Sequence, residues 1–214
     1  MLLEGKNISF QYGKEEFILE DFNISIESGE RVGFIAKSGY GKSTLAKILA
    51  GYLKPTKGAV LLDRKPIPQK GYHPVQLIYQ HPEKAINPRW KMKEVLEEGN
   101  VFNEEMMKEM GIEKHWLSRY PAELSSGELQ RFSIARAMGK ETKFLIADEI
   151  TTMLDVISQA QIWNMVLNQV EKRNIGLLVI THNIHLADRV CTRMIYLEDH
   201  GKKREYVSSG FLIK

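Results

Sequence analysis

The sequence predicts an α/β fold in which helices cover the faces of a mostly parallel sheet. Apolar runs at 31–36, 143–149 and 175–182 are rich in aliphatic and β-branched residues, as strands buried on both faces of a parallel sheet are. The segment 156–173, between the last two runs, has the apolar spacing of an amphipathic helix. Strands that alternate with helices in this way favour a parallel sheet with crossover connections.

The same patterns predict the remaining elements. Residues 42–53 have helical spacing, and Gly51 is the expected end of that helix. Near the amino terminus, apolar and polar residues alternate between Gly and Asp boundaries, which is typical of short antiparallel strands. The segments predicted as strands outside the three apolar runs are 2–12, 22–30, 59–63, 75–80, 193–199 and 204–210.

Residues 81–139 differ in composition from the chain on either side. They are rich in Glu, Lys and Met, and their apolar residues recur with helical periodicity. We expect one domain over 1–214, with a core formed by 1–80 and 140–214 and an inserted helical lobe at 81–139.

Composition limits the class of protein. The chain of 214 residues is 43% hydrophobic and 27% charged, which is typical of a globular protein, and its net charge of +3 gives no reason to expect a nucleic-acid partner. The single cysteine, Cys191, cannot form an intramolecular disulfide, which favours a reducing compartment. No apolar run reaches the roughly 20 residues that span a bilayer. A membrane role is therefore expected to be peripheral.

Residues 34–44, FIAKSGYGKST, are similar to a phosphate-binding loop between a strand and a helix. In that loop, glycines let backbone N–H groups face the phosphates, and the helix N-terminus adds a favourable dipole. Lys42 is expected to reach the β- and γ-phosphates, and the Ser43 hydroxyl to ligate Mg²⁺. The positions expected to line the nucleotide are Ala36, Lys37, Ser38, Gly39, Tyr40, Gly41, Lys42, Ser43 and Thr44.

Ala36 stands where the phosphate-loop pattern has its first glycine. If this position needs a positive φ, alanine costs about 1 kcal/mol or more. If φ is negative, the methyl group is tolerated. Both outcomes are open at the level of sequence, and the motif still predicts nucleotide binding.

The apolar run FLIADE ends in two carboxylates, Asp148 and Glu149. Ligands bind at the carboxyl ends of the strands in such sheets, so this run would deliver both acids to the site. Asp148 is expected to hold Mg²⁺, and Glu149 to polarise an attacking water.

Residues 124–131, LSSGELQR, resemble the signature of the ATP-binding cassette (ABC) family, approximately LSGGQ followed by a basic helix. Ser126 and Glu128 depart from that pattern. The resemblance implies that Ser125, Ser126, Gly127 and Glu128 approach the γ-phosphate of an ATP held by a second subunit. Without the family, the same residues would be read as a helix cap.

Other residues match the family by position, and the resemblance covers nearly the whole chain. Tyr12 would stack on adenine, Gln80 would contact Mg²⁺ and water, and His182 would contact the γ-phosphate. A Tyr or His at a strand end is also often structural. Asp155, in TTMLD, resembles the segment that crosses to the opposite subunit. The fold implied is a P-loop NTPase (RecA-like) core with an antiparallel β-subdomain at its amino end and an inserted helical subdomain.

The stretch YQHPEKAINPRW, with Asn-Pro-Arg at 87–89, resembles the ATPases of dipeptide, oligopeptide and nickel importers. This implies an ATPase using ATP and Mg²⁺ at the cytoplasmic face of the membrane, beneath two transmembrane permease subunits and served by an extracytoplasmic substrate-binding protein. A second ABC ATPase, which is either a different chain or a second copy of this one, would complete the transporter. The alternatives are a regulatory subunit with little or no hydrolysis, a non-transport ABC ATPase, and an exporter.

Overall fold

The computed structural model describes residues 1–13, 16–37, 39–68 and 70–197, together with the backbone of 203–207. It contains one mostly parallel and one antiparallel sheet, with helices, as predicted. The strands in this part of the chain are β1 (Leu2–Phe10), β2 (Leu19–Glu27), β3 (Arg31–Ala36), β4 (Lys57–Leu62), β5 (Lys65–Pro66), β6 (Val75–Ile78), β7 (Phe144–Asp148), β8 (Gly176–Ile180), β9 (Arg193–Leu197) and β10 (Lys203–Val207).

Helices occupy the positions that the periodicity predicts at 42–53, within 81–139 and at 156–173, whereas the helix at Ile184–Val190 was not predicted. They are α1 (Lys42–Leu49), α2 (Met92–Glu98), α3 (Glu104–Glu109), α4 (Ser126–Ala137), α5 (Val156–Arg173) and α6 (Ile184–Val190). Short 3-10 turns cover Pro82–Lys84, Lys114–Ser118 and Pro121–Glu123. Within the described ranges, no helix combines the length and apolarity that crossing a bilayer requires.

The larger sheet has the strand order β10-β9-β3-β8-β7-β6. All its neighbouring pairs are parallel except β9 and β10, which are antiparallel. Parallel strands place their carboxyl ends at one edge, and ligands bind there in open α/β sheets. The residues after β3, β6, β7 and β8 therefore meet at a single edge, although they are far apart in the sequence.

The smaller sheet is antiparallel, with the order β2-β1-β4-β5, and confirms the predicted β-subdomain. Its inner face shares one apolar core with β3 and α1, in which Ile8, Phe34 and Leu45 are almost fully buried. This packing holds α1, and with it the loop that precedes α1, against the parallel sheet.

The helices between β6 and β7 contribute to a second apolar core beneath α5, with Phe132 and Met110 fully buried. Polar contacts also tie α5 to these helices. Arg173 donates to the backbone carbonyls of Met138 (2.7 Å) and Gly139 (2.6 Å), just after α4. The helices between β6 and β7 thus pack against α5, which begins shortly after the carboxyl end of β7.

Candidate active site

The carboxyl edge of the parallel sheet carries a cavity of about 490 Å³ beside α1. It gathers residues from the predicted phosphate loop, from the end of β6 and from the end of β7. Its lining residues are Ile18, Gly39, Gly41, Lys42, Ser43, Thr44, Gln80 and Glu149. Three separate stretches of sequence that were predicted to act together therefore meet in one cleft.

The loop before α1 has a backbone that depends on its glycines. Gly39 has φ 88° and Gly41 has φ 74°, both in the left-handed region that disfavours side chains. A Cβ on Gly41 would also lie 2.7 Å from Cγ2 of Ile18. The chain enters α1 at once, so N–H groups without intrahelical partners face the cleft, as in anion sites at helix N-termini. Ser38 lies outside the described residues.

Lys42 is buried, and its ammonium group is held by the loop itself. Nζ donates to the backbone carbonyls of Ala36 (2.9 Å) and Lys37 (3.0 Å). An ammonium group has three N–H donors, so these two bonds leave one for an anion. The two carbonyl oxygens carry no net charge, so the loop surrounds a positive charge that they do not neutralise.

Ala36 is the last residue of β3 and pairs with Leu197 of β9. Its φ is not positive, and its side chain is buried. The extended backbone accepts a Cβ without strain. Of the two outcomes open from the sequence, the structure shows the one in which alanine carries no backbone penalty.

Asp148 ends β7 and is almost completely buried. Burial raises the pKa of its carboxyl group above the usual range, and a hydrogen bond from the Ser43 hydroxyl and the charge of Lys42 act in the opposite direction. A cation bound here would relieve the cost of the buried charge. The Ser43 hydroxyl, the Asp148 carboxylate and the Gln80 amide all offer oxygen, which Mg²⁺ prefers. Ser43 and Gln80 line the same cleft and Asp148 interacts with Ser43, so these residues fit that metal.

Glu149 follows β7 in a conformation that is rare for a residue with a side chain. Its φ is 51°, and its backbone N–H donates to the Ile180 carbonyl at 2.9 Å. Its Oε1 lies 3.4 Å from Nδ1 of His182, and the carboxylate is 17% exposed. Strained backbone of this kind clusters at active sites. Sequence reasoning selected Glu149 without this signal, which depends on tertiary structure.

Thr152 contacts two residues that line the cleft, Glu149 and Gln80, and was missed by sequence reasoning. Its Oγ1 donates to the Glu149 carbonyl at 2.6 Å and accepts a hydrogen bond from Nε2 of Gln80 at 3.1 Å. The signal in the sequence was a hydroxyl three residues after a candidate catalytic acid, a spacing that suits a side chain bonding back across a turn.

Tyr12 lies beside the phosphate loop but does not line the cleft. Its hydroxyl is 3.5 Å from Oγ1 of Thr44, and its ring meets the Phe10 ring edge to face, with centroids 4.9 Å apart. The ring is 44% exposed. The Tyr12 ring therefore packs against Phe10 and still leaves part of its surface exposed. Its stacking on adenine stays a prediction.

The signature residues do not line this chain's own cleft, and they cap α4. Oγ of Ser125 accepts from the Glu128 N–H (3.3 Å), and Oε2 of Glu128 accepts from the Ser125 N–H (2.7 Å). The latter bond lowers the pKa of the Glu128 carboxyl. Ser126 is exposed. A Cβ on Gly127 would come no closer than 3.8 Å to Leu154, so internal packing does not require a glycine there.

Asp155 has the corresponding role at the start of α5. Its Oδ1 accepts from the N–H groups of Ile157 (2.9 Å) and Ser158 (3.0 Å). Beside this cap, Met153, Val156 and Ile157 expose 61%, 81% and 72% of their surface. The segment predicted to cross to a second subunit is thus exposed and apolar.

Comparison with known proteins agrees with this geometry. The family model described as "ABC transporter" matches residues 19–152. The chain belongs to the ABC transporter family. The nickel import system ATP-binding protein NikE of Staphylococcus aureus (strain bovine RF122 / ET3-1) is 34% identical over 212 residues, which cover 92% of this chain and 87% of that protein.

Solved structures share the fold of this ABC cassette. MJ0796, an ATP-binding cassette in a dimeric post-hydrolysis state bound to ADP and Pi, has a TM-score of 0.83 at 26% identity and covers 98% of this chain and 100% of its own. CbiO1 of Clostridium perfringens, part of the CbiONQ ABC transporter complex, has a TM-score of 0.76 at 24% identity, covering 91% and 83%. The α/β cassette fold is confirmed, and the chain is an ATPase of this family, as predicted.

The family match also separates the predicted site residues of this ABC ATPase into two groups. The phosphate loop, Gln80, the signature and the Asp148–Glu149 pair all lie inside the matched range. Tyr12 and His182 lie outside it. His182 is placed by its contact with Glu149, and Tyr12 by its position beside Thr44.

Proposed function

We propose that this ABC ATPase binds ATP in the cleft beside α1, with Lys42 on the β- and γ-phosphates. Ser43, Asp148 and Gln80 would hold Mg²⁺, which neutralises phosphate charge and orients the γ-phosphate when bound. The proposal is supported chiefly by one observation: the buried Lys42 ammonium lines one cleft with Ser43 and Glu149. The buried Asp148 carboxylate lies close enough to Ser43 and Lys42 for both to lower its pKa.

Within this cleft, Glu149 is proposed to polarise the attacking water, and His182 to contact the γ-phosphate. A carboxylate that is mostly buried yet lines the cleft can accept a proton from water at hydrogen-bond distance. The His182 side chain is more exposed than that of Glu149, and its Nδ1 lies 3.4 Å from Oε1 of Glu149. His182 does not line the cleft itself, and its proposed role rests on its contact with Glu149, which does.

Replacing Glu149 by Gln tests the catalytic proposal directly. The amide has nearly the same shape but is a poor base, so we expect turnover to fall by about 100-fold or more while ATP is still bound. The measurement is phosphate release together with direct ATP titration. Unchanged turnover would instead favour a nucleotide-binding regulatory subunit.

We further propose that hydrolysis powers an importer for nickel or a nickel chelate. Support comes from the 34% identity to a nickel import ATP-binding protein over 92% of the chain, and from the Asn87-Pro88-Arg89 element. That same element is shared, by resemblance, with peptide importers, which makes dipeptides and oligopeptides the second candidate cargo.

The proposed setting is peripheral, at the cytoplasmic face of a membrane. Two permease subunits would dock near Gln80 and residues 82–100, and an extracytoplasmic substrate-binding protein would deliver the cargo to them. A second ABC ATPase would close over the cleft, and we propose that it is a different chain, with a homodimer as the other arrangement. Exposed Ser125 and Ser126 of the signature and the exposed apolar side chains around Asp155 are consistent with such a partner.

Uptake in cells that lack this gene tests the cargo. Complementation with the wild-type chain should restore accumulation of radioactive nickel, and the Glu149→Gln variant, expressed equally, should not. Labelled di- and oligopeptides are measured in parallel. Restoration of peptide uptake alone would replace nickel as the cargo, and no change in either would contradict the importer proposal.

A further inference from the structure

Thr152 contacts both residues that are proposed to surround the attacking water. Its hydroxyl donates to the Glu149 carbonyl (2.6 Å) and accepts from Nε2 of Gln80 (3.1 Å), while its backbone N–H reaches the same carbonyl at 3.2 Å. We infer that Thr152 is a positioning residue for hydrolysis, which holds the Glu149 backbone and the Gln80 amide in one arrangement. This inference rests on the proposed roles of Glu149 and Gln80.

The first part of the role concerns the backbone of Glu149. Its φ of 51° is unfavourable for a residue with a Cβ and persists only where surrounding contacts hold it. On the amino side, the contact is the N–H of Glu149 on Ile180 of the neighbouring strand. On the carbonyl side, the contacts both come from Thr152. Loss of the hydroxyl would loosen the carbonyl side and let the Glu149 carboxylate shift in the cleft.

The second part concerns the orientation of the Gln80 amide. A threonine hydroxyl has one hydrogen, and here that hydrogen is used on the Glu149 carbonyl. Its oxygen can then only accept from Gln80, which fixes the amide nitrogen toward Thr152. The amide oxygen is left for the cleft, where a hard cation requires oxygen. The hydroxyl therefore selects the amide orientation that suits Mg²⁺.

Three variants separate the hydroxyl from the shape of the side chain. Thr152→Val has the same shape without the hydroxyl, and Thr152→Ser keeps the hydroxyl. Thr192→Val is the matched control, because Oγ1 of exposed Thr192 also donates to a backbone carbonyl, that of Arg31 at 3.1 Å. Arg31 and Thr192 lie at the amino ends of β3 and β9, on the edge of the sheet opposite the cleft.

For each variant we would measure kcat and KM for hydrolysis, the melting temperature, and the Mg²⁺ dependence of ATP binding by titration without turnover. Thr152→Val is expected to lower kcat about tenfold, since each neutral hydrogen bond contributes a factor of roughly 2 to 13. ATP affinity without Mg²⁺ should stay within about twofold of wild type, because the phosphate loop is unchanged. The Mg²⁺ concentration that gives half of the maximal increase in ATP affinity should rise about threefold or more.

Thr152→Ser should restore both quantities to within about twofold, and Thr192→Val should leave them unchanged. If Thr152→Val is unfolded at the assay temperature, Thr152→Ala is measured against the same criteria. A kcat and a Mg²⁺ dependence within twofold of wild type, or equal losses in the Ser and Val variants, would overturn the inference. Glu149→Gln separates the two proposals: if it leaves turnover intact, the proposed catalytic site is wrong, whereas if it abolishes turnover and Thr152→Val does not reduce it, only the positioning role is wrong.

Discussion

Replacing Ala36 by Gly restores the phosphate-loop pattern, and the structure predicts that this change is harmful. Ala36 is a buried strand residue whose backbone has no positive φ, so glycine gains no conformational relief there. Glycine in a strand costs about 0.5–1 kcal/mol in backbone entropy. Removal of a buried methyl group costs about 0.8 kcal/mol more. We expect the free energy of unfolding to fall by about 1.5 kcal/mol, which corresponds to roughly 3–6 °C for a chain of this size.

The assay is thermal unfolding together with ATP titration. Because the carbonyl of Ala36, and not its side chain, holds the Lys42 ammonium, ATP affinity should change by less than about twofold. Ala187→Gly is the control: Ala187 is fully buried on α6, does not line the cleft, and should lose similar stability. A tenfold gain in ATP affinity on Ala36→Gly without loss of stability would refute the reasoning.

Three further predictions follow from the charges and caps around the site. Asp148→Asn should raise the melting temperature of the nucleotide-free protein at neutral pH, because burial raises the pKa of the Asp148 carboxyl. The wild type should gain stability as pH falls through that raised pKa. Thermal scans across pH should show that the variant does not gain stability in the same range. Ser125→Ala should cost about 1 kcal/mol of stability through loss of the α4 cap, measured by denaturant unfolding, with exposed Ser126→Ala as the control. The pKa of Glu128 is lowered chiefly by the hydrogen bond from the Ser125 N–H. The carboxylate therefore contributes stability at neutral pH that is lost as pH falls through the lowered pKa. Glu128→Gln should reduce this loss of stability at acid pH.

The elements that sequence predicted best have strong local signals. Helix α5 occupies residues 156–173, as its amphipathic pattern indicated, and β3, β7 and β8 coincide with the apolar runs. Strand β5 has only two residues, too few to form a periodic pattern, and was not predicted. Length and periodicity therefore separate the predictable elements from the rest.

The site divides in the same way. Lys42 and Asp148 could be selected from sequence because a motif and an apolar strand flank them. The left-handed backbone of Glu149 and the Gln80–Thr152 contact could not, since both depend on how the chain leaving β6 meets the chain leaving β7. Neither stretch carries a local sequence pattern that predicts this contact. A hydroxyl near a catalytic acid has a structural meaning only once the sheet order is known.

The departures of the signature from the family pattern can be understood from the cap of α4. The Ser125 hydroxyl is engaged with the Glu128 N–H, and the Glu128 carboxylate with the Ser125 N–H. The N–H groups of Ser126 and Gly127, in the first turn, have no partner within the helix and carry its positive dipole end. If a partner's phosphate approaches here, these two backbone groups are the donors that meet it, and Gly127 has no Cβ to obstruct it. The replacements at positions 126 and 128 alter side chains and leave both donors in place, so they are compatible with the proposed contact with a second cassette.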